Sequence, residues 1–171
     1  RAVIGAAVAA SGWRPGAPGP DGTGRGIGFA RYKNVAMYCA VVAEVTVEPD
    51  LRVTRAWAAV DVGRVVSPDG VRNQVEGGVI QATSWTVKER VRFDRAGVTS
   101  RSWEAYPILG FAEAPAVEVV LLDRPDQPSK GAGEGAQGPT AAAIANALFD
   151  ALGVRVRDLP LTREQIVRAM G

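Results

Sequence analysis

Residues 35 to 62, VAMYCAVVAEVTVEPDLRVTRAWAAVDV, carry the reading on which the fold turns. A long apolar run passes into the alternation Glu44, Val45, Thr46, Val47, Glu48. Period-two alternation with β-branched residues predicts a strand. Pro49-Asp50 supplies a turn, and Arg52 to Val62 predicts a second strand with Val53, Arg55, Trp57 and Ala59 on one face. The two together predict an antiparallel hairpin. Downstream the period changes: Val71, Val75, Val79, Ala82 and Thr86 recur at three- and four-residue intervals, a helical stripe from Pro68 to about Arg90. Asp69 near its start suits the positive end of the helix dipole.

A short strand near Val91 to Phe93, a turn at Asp94 to Gly97 and a buried strand at Val117 to Leu122 come next. In SKGAGEGAQGPTAAAIANALFDALG (129 to 153), glycines open a loop and Pro139 suits a first helical turn. Ala141, Ile144, Ala145, Leu148 and Leu152 then make an apolar face, and Gly153 is placed as the C-cap. Thr162-Arg163-Glu164-Gln165 is a capping-box pattern that announces a last helix. The expected class is α+β, an antiparallel sheet packed with two main helices.

Ahead of the hairpin lie a small apolar run, Ala2 to Ala10, and then RPGAPGPDGTGRG at 14 to 26. The first reads as the end of a helix, the second as a loop or linker whose composition cannot bury a core. Residues 1 to 26 are therefore expected to be a helix end and Gly/Pro-rich linker, with ordered structure resuming near Ile27 and running from 27 to 171. The missing initiator Met and the abrupt helical start lead to the expectation of a fragment, a cleaved chain or a split subunit. No apolar stretch approaches the ~20 residues of a membrane span, so a soluble protein is expected.

Composition removes whole classes of chemistry. The 171 residues include no histidine and a single cysteine, Cys39. Ser-His-Asp and Cys-His pairs are excluded within the chain, as are Cys/His zinc sites, cysteine-ligated iron–sulfur clusters and an internal disulfide. A general base must come from Asp, Glu, Lys or Tyr, and an electron carrier must be a cofactor or lie on another chain. Lys33, Lys88 and Lys130 are the only lysines among 20 basic residues set against 18 acidic ones, and a net charge of +2 does not suggest a nucleic-acid partner.

Two segments could carry chemistry. In Gly131-Ala132-Gly133-Glu134-Gly135 the glycines let a ligand approach the backbone closely, and a helix opens just beyond. Near that positive end Glu134 is suited to act as a base, or equally to cap the helix. In the long helix, Gln74 and Gln81 share a side with Gly77 and Gly78 between them. Adjacent glycines in a helix interior cost roughly 1 kcal/mol each relative to Ala, so something needs a close approach. That is either another backbone packed over the glycines or an amide gripping a cofactor rich in hydrogen-bonding groups. Gly24-Arg25-Gly26-Ile27-Gly28 lacks the strand-to-helix context of a phosphate loop and reads as a linker turn. Arg31, Lys33 and Arg72 read as solvated charges, the four tryptophans as core or interface fillers, and Cys39 as an inert buried thiol.

In this order, RYKNVAMYCAVVAEVTVE (31 to 48), AAVDVGRVVSPDGVRNQVEGGVIQATSW (58 to 85), YPILGF (106 to 111) and KGAGEGAQGPTAAAIANALFDALGVRVRDLPLT (130 to 162) resemble the C-terminal part of the molybdenum-binding large subunit of the xanthine dehydrogenase and aldehyde oxidase family. The resemblance runs over roughly residues 24 to 171, and makes 27 to 171 the C-terminal portion of a molybdopterin-binding domain. It implies that Glu134 is the general base beside the molybdenum and that Gln74 and Gly133 contact the molybdopterin cofactor. The implied reaction is hydroxylation of an aldehyde or N-heteroaromatic carbon with oxygen from water. The implied cofactor is molybdenum–molybdopterin, its cytosine dinucleotide form left open. A pterin that holds the metal leaves the chain no need of protein ligands to it.

The resemblance further implies [2Fe-2S] clusters and FAD on partner domains or subunits, and the remainder of the molybdenum-binding subunit as a partner. A cytoplasmic location is the default, with a periplasmic one open. The chain alone is expected neither to bind the cofactor stably nor to turn over. Two other readings remain: a non-catalytic structural or assembly module of the same fold, and an anion-binding domain using the Gly131 to Gly135 loop.

Overall fold

The computed structural model describes residues 1–17 and 19–171; Pro18, inside the stretch read as a linker, lies outside the described residues. Strands β1 (Thr23–Arg31), β2 (Tyr38–Thr46) and β3 (Arg52–Asp61) form an antiparallel meander. Between β3 and the last strand, β6 (Ala116–Leu121), come helix α2 (Pro68–Val87) and a two-residue-stranded hairpin, β4 (Phe93–Asp94) and β5 (Gly97–Val98). β6 joins the sheet beside β3, giving the order β1-β2-β3-β6. It runs parallel to β3, not antiparallel, because a crossover through α2 brings the chain back to the same end of the sheet. As an edge strand it is half-buried at most, where its apolar sequence suggested full burial. The α+β class stands.

The sheet is covered on both faces. On one, α2 and helix α3 (Gln137–Leu152) bury Val75, Val79, Ile144 and Leu148 against Cys39, Val41, Ala43 and Val45. On the other, helix α1 (Ala2–Ser11) lays Val3 and Ala7 on Ala40, Val42, Trp57 and Ala59. Burial on both faces explains why β2 reads as a continuous apolar run. The face expected of β3 breaks at a bulge: Arg55 pairs with Glu44 but Val53 with Val45, which leaves Thr54 as the extra residue. Val53 thereby joins Ala56, Ala58 and Val60 under α2 and α3, while Trp57 and Ala59 face α1.

The linker reading of residues 24 to 28 is wrong. Ordered structure resumes at Thr23, and Gly24, Gly26 and Gly28 lie in β1. An added Cβ would stand 2.2 Å from Ala147 O at Gly24, 2.2 Å from Ala147 N at Gly26 and 2.1 Å from Pro139 O at Gly28. The glycines are there because α3 rests its backbone directly on the strand. Asp150 accepts from Arg25 N at 2.9 Å and Asn146 Nδ2 donates to Ile27 O at 2.9 Å, so side chains of α3 also cover this sheet edge. The buried stripe of α3 is accordingly Pro139, Thr140, Ala143, Ile144, Ala147 and Leu148, rotated from the expected one, with Ala141 and Ala145 only half-buried.

The ends at Gly153 and Thr162 follow the sequence signals, and Ser67 adds a cap that the sequence reading did not name. Ser67 Oγ accepts from Gly70 N at 3.3 Å at the start of α2, and Gly153, with φ 70°, closes α3 in the left-handed region. Thr162 Oγ1 accepts from Gln165 N at 3.4 Å at the start of α4 (Arg163–Met170). Among the described residues no helix is long and apolar enough to cross a membrane.

Candidate functional site

The loop between β6 and α3 is pinned at its middle. Lys130 N donates to Val62 O at 2.7 Å, and Gly63, at φ 70°, gives way to Pro128, whose carbonyl oxygen lies 2.1 Å from where a Cβ would be. From there the loop runs alongside the first turns of α2. A cleft of about 300 Å³ opens between them, lined by Ser67, Gly70 and Gln74 from the helix and its cap and by Lys130, Ala132 and Gly133 from the loop. The two residues expected to contact a cofactor, Gln74 and Gly133, therefore meet at one cleft.

The glycines of the site differ in what holds them. Gly135 faces buried Met37, whose Sδ would stand 2.2 Å from a Cβ. Gly131 and Gly133 face nothing within 4 Å and carry no positive φ, so neither packing nor backbone conformation within the chain requires a glycine there. In α2, Gly77 is equally open, and a Cβ on Gly78 would make ordinary contact with Ala136 and Gln137 at 3.5 and 3.7 Å. No backbone is pressed onto this pair. Gln81 Oε1 accepts from Gln137 Nε2 at 2.7 Å, whereas Gln74 makes no side-chain hydrogen bond among the described residues. Gln74, Gly78 and Gln81 thus form one helix face, directed along residues 132 to 137.

Glu134 is exposed and is not a cleft-lining residue. Its carboxylate does not cap α3: Oε2 accepts a hydrogen bond from the Tyr32 hydroxyl, and it is the Glu134 backbone carbonyl that accepts from Gln137 N, at 3.3 Å. That hydrogen bond, with burial and the carboxylate charge, pushes the Tyr32 phenol above its ordinary value. Sequence reasoning missed Tyr32. It follows a strand whose sequence looks like a linker, and it is 102 residues from its partner.

The other residues singled out do not line the cleft. Arg72 pairs with Asp69 at 3.4 Å, Arg31 lies over the Tyr38 ring at 4.9 Å, and Lys33 lies over the Tyr32 ring at 5.2 Å. Trp57 is core, but Trp103 is 75% exposed and fills nothing within the chain. Cys39 is fully buried, and burial pushes its thiol up to about 12.

The donor set decides what kind of group fits. Among the described residues no cluster of three or more His, Cys, Asp or Glu could hold a metal ion through side chains. The cleft instead offers open glycine backbone, an unpartnered amide, a lysine and the capped N-terminus of a 20-residue helix. Those groups suit an extended, anionic organic cofactor rich in hydrogen-bonding atoms.

Comparison with known proteins agrees. The sequence profile of the molybdopterin cofactor-binding domain matches residues 5–115. The chain is 46% identical over 157 residues to a subunit of nicotinate dehydrogenase from Pseudomonas putida, covering 86% of this chain and 13% of that protein. It is 34% identical over 164 residues to the beta subunit of isoquinoline 1-oxidoreductase from Brevundimonas diminuta, covering 94% of this chain and 21% of that protein. Quinoline 2-oxidoreductase from Pseudomonas putida superimposes with a TM-score of 0.69 at 29% identity, over 78% of this chain and 18% of that one. The aldehyde oxidoreductase of Desulfovibrio desulfuricans does so with a TM-score of 0.69 at 28% identity, over 79% and 16%. The chain spans only a small part of the proteins it matches, and within that part it belongs to the molybdopterin cofactor-binding domain family of the molybdenum hydroxylases.

Proposed function

We propose that this chain supplies the C-terminal part of the molybdopterin-binding region of a hydroxylase that oxidises an N-heteroaromatic or aldehyde carbon with oxygen from water, and that Glu134 is its general base. The observation that carries this is the meeting of Gln74 and Gly133 at one cleft, with Glu134 the next residue in the chain. The names of the nicotinate and isoquinoline enzymes support a nitrogen heterocycle over an aldehyde.

Each residue has its own task. The backbone at Gly133, bare of a side chain, lets the cofactor approach the loop, and the Gln74 amide offers it both a donor and an acceptor. Lys130 and the N-terminal turn of α2 favour its negative charge. Glu134 takes the proton released as water-derived oxygen is delivered to the substrate carbon. The molybdenum–molybdopterin group, with or without a cytosine dinucleotide extension, supplies the oxygen-transfer and two-electron redox chemistry when bound. The electrons pass to [2Fe-2S] clusters and flavin on partner domains or subunits, and the rest of the molybdenum-binding subunit completes the site.

Substituting Glu134→Gln in the assembled enzyme tests the assignment. Turnover falls by about 10²- to 10⁴-fold, the usual contribution of a positioned acid–base group, while molybdenum content holds. Unchanged turnover would instead support a non-catalytic assembly module.

A further inference from the structure

Glu134 stands between Gly133 and Gly135 on an exposed loop, and a glutamate there has much rotamer and backbone freedom to lose before it can act at one fixed point. Its partner is far more constrained. Tyr32 N donates to Met37 O at 2.9 Å, and Tyr32 O accepts from Ala36 N at 3.0 Å. Between those bonds the chain turns through Lys33 and Asn34, both left-handed at φ 49° and 58°. The Tyr32 ring packs against the main core, with the Lys33 ammonium 5.2 Å from its centroid. Met37, the far leg of the same turn and 1% exposed, presses on Gly135. The 32–37 turn therefore holds the glutamate twice, through the backbone beside it and through its carboxylate.

We infer that Tyr32 is the positioning residue for Glu134: its hydroxyl donates to Oε2 and fixes the carboxylate, which leaves Oε1 as the atom that takes the proton. This rests on the proposal that Glu134 is the base. Among the described residues Oε1 has no hydrogen-bond partner, so one oxygen anchors and the other is available. The rigid member of the pair is the tyrosine, whose backbone and ring are both tied to the sheet, and control runs from it to the loop. The raised phenol is what such a contact produces, since the neighbouring carboxylate opposes its ionisation.

The test compares Tyr32→Phe, Glu134→Gln and the double variant in the assembled enzyme. Removing the anchor lowers kcat by about 10- to 100-fold, the order of loss that follows from misplacing a reacting group by an ångström, with KM and molybdenum content unchanged. The double variant is no slower than Glu134→Gln alone, because the tyrosine acts only through the glutamate. A second readout is independent of turnover. With a fluorotyrosine placed at position 32, fluorine NMR shows the phenol titrating at higher pH in the presence of Glu134 than in the Glu134→Gln background. If Glu134→Gln abolishes turnover while Tyr32→Phe matches wild type, or the two losses multiply in the double variant, the positioning role is overturned and the base assignment stands. A phenol titration unmoved by Glu134→Gln overturns the contact itself. If Glu134→Gln turns over normally, the base assignment fails and takes the positioning role with it.

Discussion

Gln137 Nε2 donates to Gln81 Oε1 at 2.7 Å, tying α2 to the first turn of α3. With Gly78 against Ala136 and Gln137, and Gln74 further towards the helix start, this sets one face of α2 along the glycine loop. The cleft between Gln74 and Gly133 is thus a consequence of how two helices dock on one face of the sheet.

Replacing Gly26 should damage the fold. In Gly26→Ala the new Cβ would stand 2.2 Å from Ala147 N and 2.5 Å from Ala143 O, both backbone atoms, so α3 must lift off β1. Overpacking of this kind costs about 1–3 kcal/mol, and urea denaturation is expected to show it. Gly131→Ala is the control: nothing lies within 4 Å of its Cβ position. Its effect is expected within about 0.5 kcal/mol. Equal losses in the two variants would contradict the packing of α3 on β1.

Acid should weaken the protein in part through Glu44. Burial works against its charged form, but hydrogen bonds from Arg25 and Thr54 and the charges of Arg25 and Arg55 outweigh it and hold the carboxyl below the ordinary value. Arg25 Nε lies 2.8 Å and Thr54 Oγ1 2.9 Å from the carboxylate oxygens they engage. The folded state therefore binds fewer protons than the unfolded one in the acid range. The stabilisation is fully present above the unfolded value of about 4.3 and is lost as pH falls through the lower folded value. Urea midpoints measured down through that range should fall less steeply in Glu44→Gln than in wild type. An identical slope would show that the Arg25 and Thr54 contacts do not bias the carboxylate.

Cys39 should be inert until the sheet opens. Its side chain is fully buried in β2 and its thiol is pushed up to about 12, so almost no thiolate is present near neutrality. Iodoacetamide is expected to leave the folded protein unmodified and to alkylate one cysteine after denaturation. Ready alkylation of the native protein would mean that β2 is not covered on both faces.

The hairpin over β2 and β3, the stripe of α2, the caps at Gly153 and Thr162 and the class of the fold were legible because each rests on local periodicity or on a cap and its near neighbour. β1 was not. Three glycines in five residues look like a turn when read locally, and the reason for them is the backbone of α3, more than a hundred positions away in the chain. The parallel placement of β6 was hidden for a related reason, since an apolar strand has no local mark of direction. Thr54 shows how one bulged residue reassigns a face, moving Val53 away from Trp57. Within the site, Glu134 and Gln74 stood out as polar residues set among glycines, and family resemblance supplied their roles. Tyr32 carried no such mark, because its significance lies entirely in the loop that folding brings to it.

The cofactor is expected in the cleft between α2 and the 129–133 loop. The most direct test is the molybdenum and pterin content of Gly133→Val in the assembled enzyme. Nothing lies within 4 Å of the Gly133 Cβ position, so the fold accepts a side chain there, and Gly133 lines the cleft that the added bulk would narrow. The predicted result is a molybdenum and pterin content far below wild type at an unchanged thermal midpoint. Full stoichiometry of both in a folded Gly133→Val protein would contradict it.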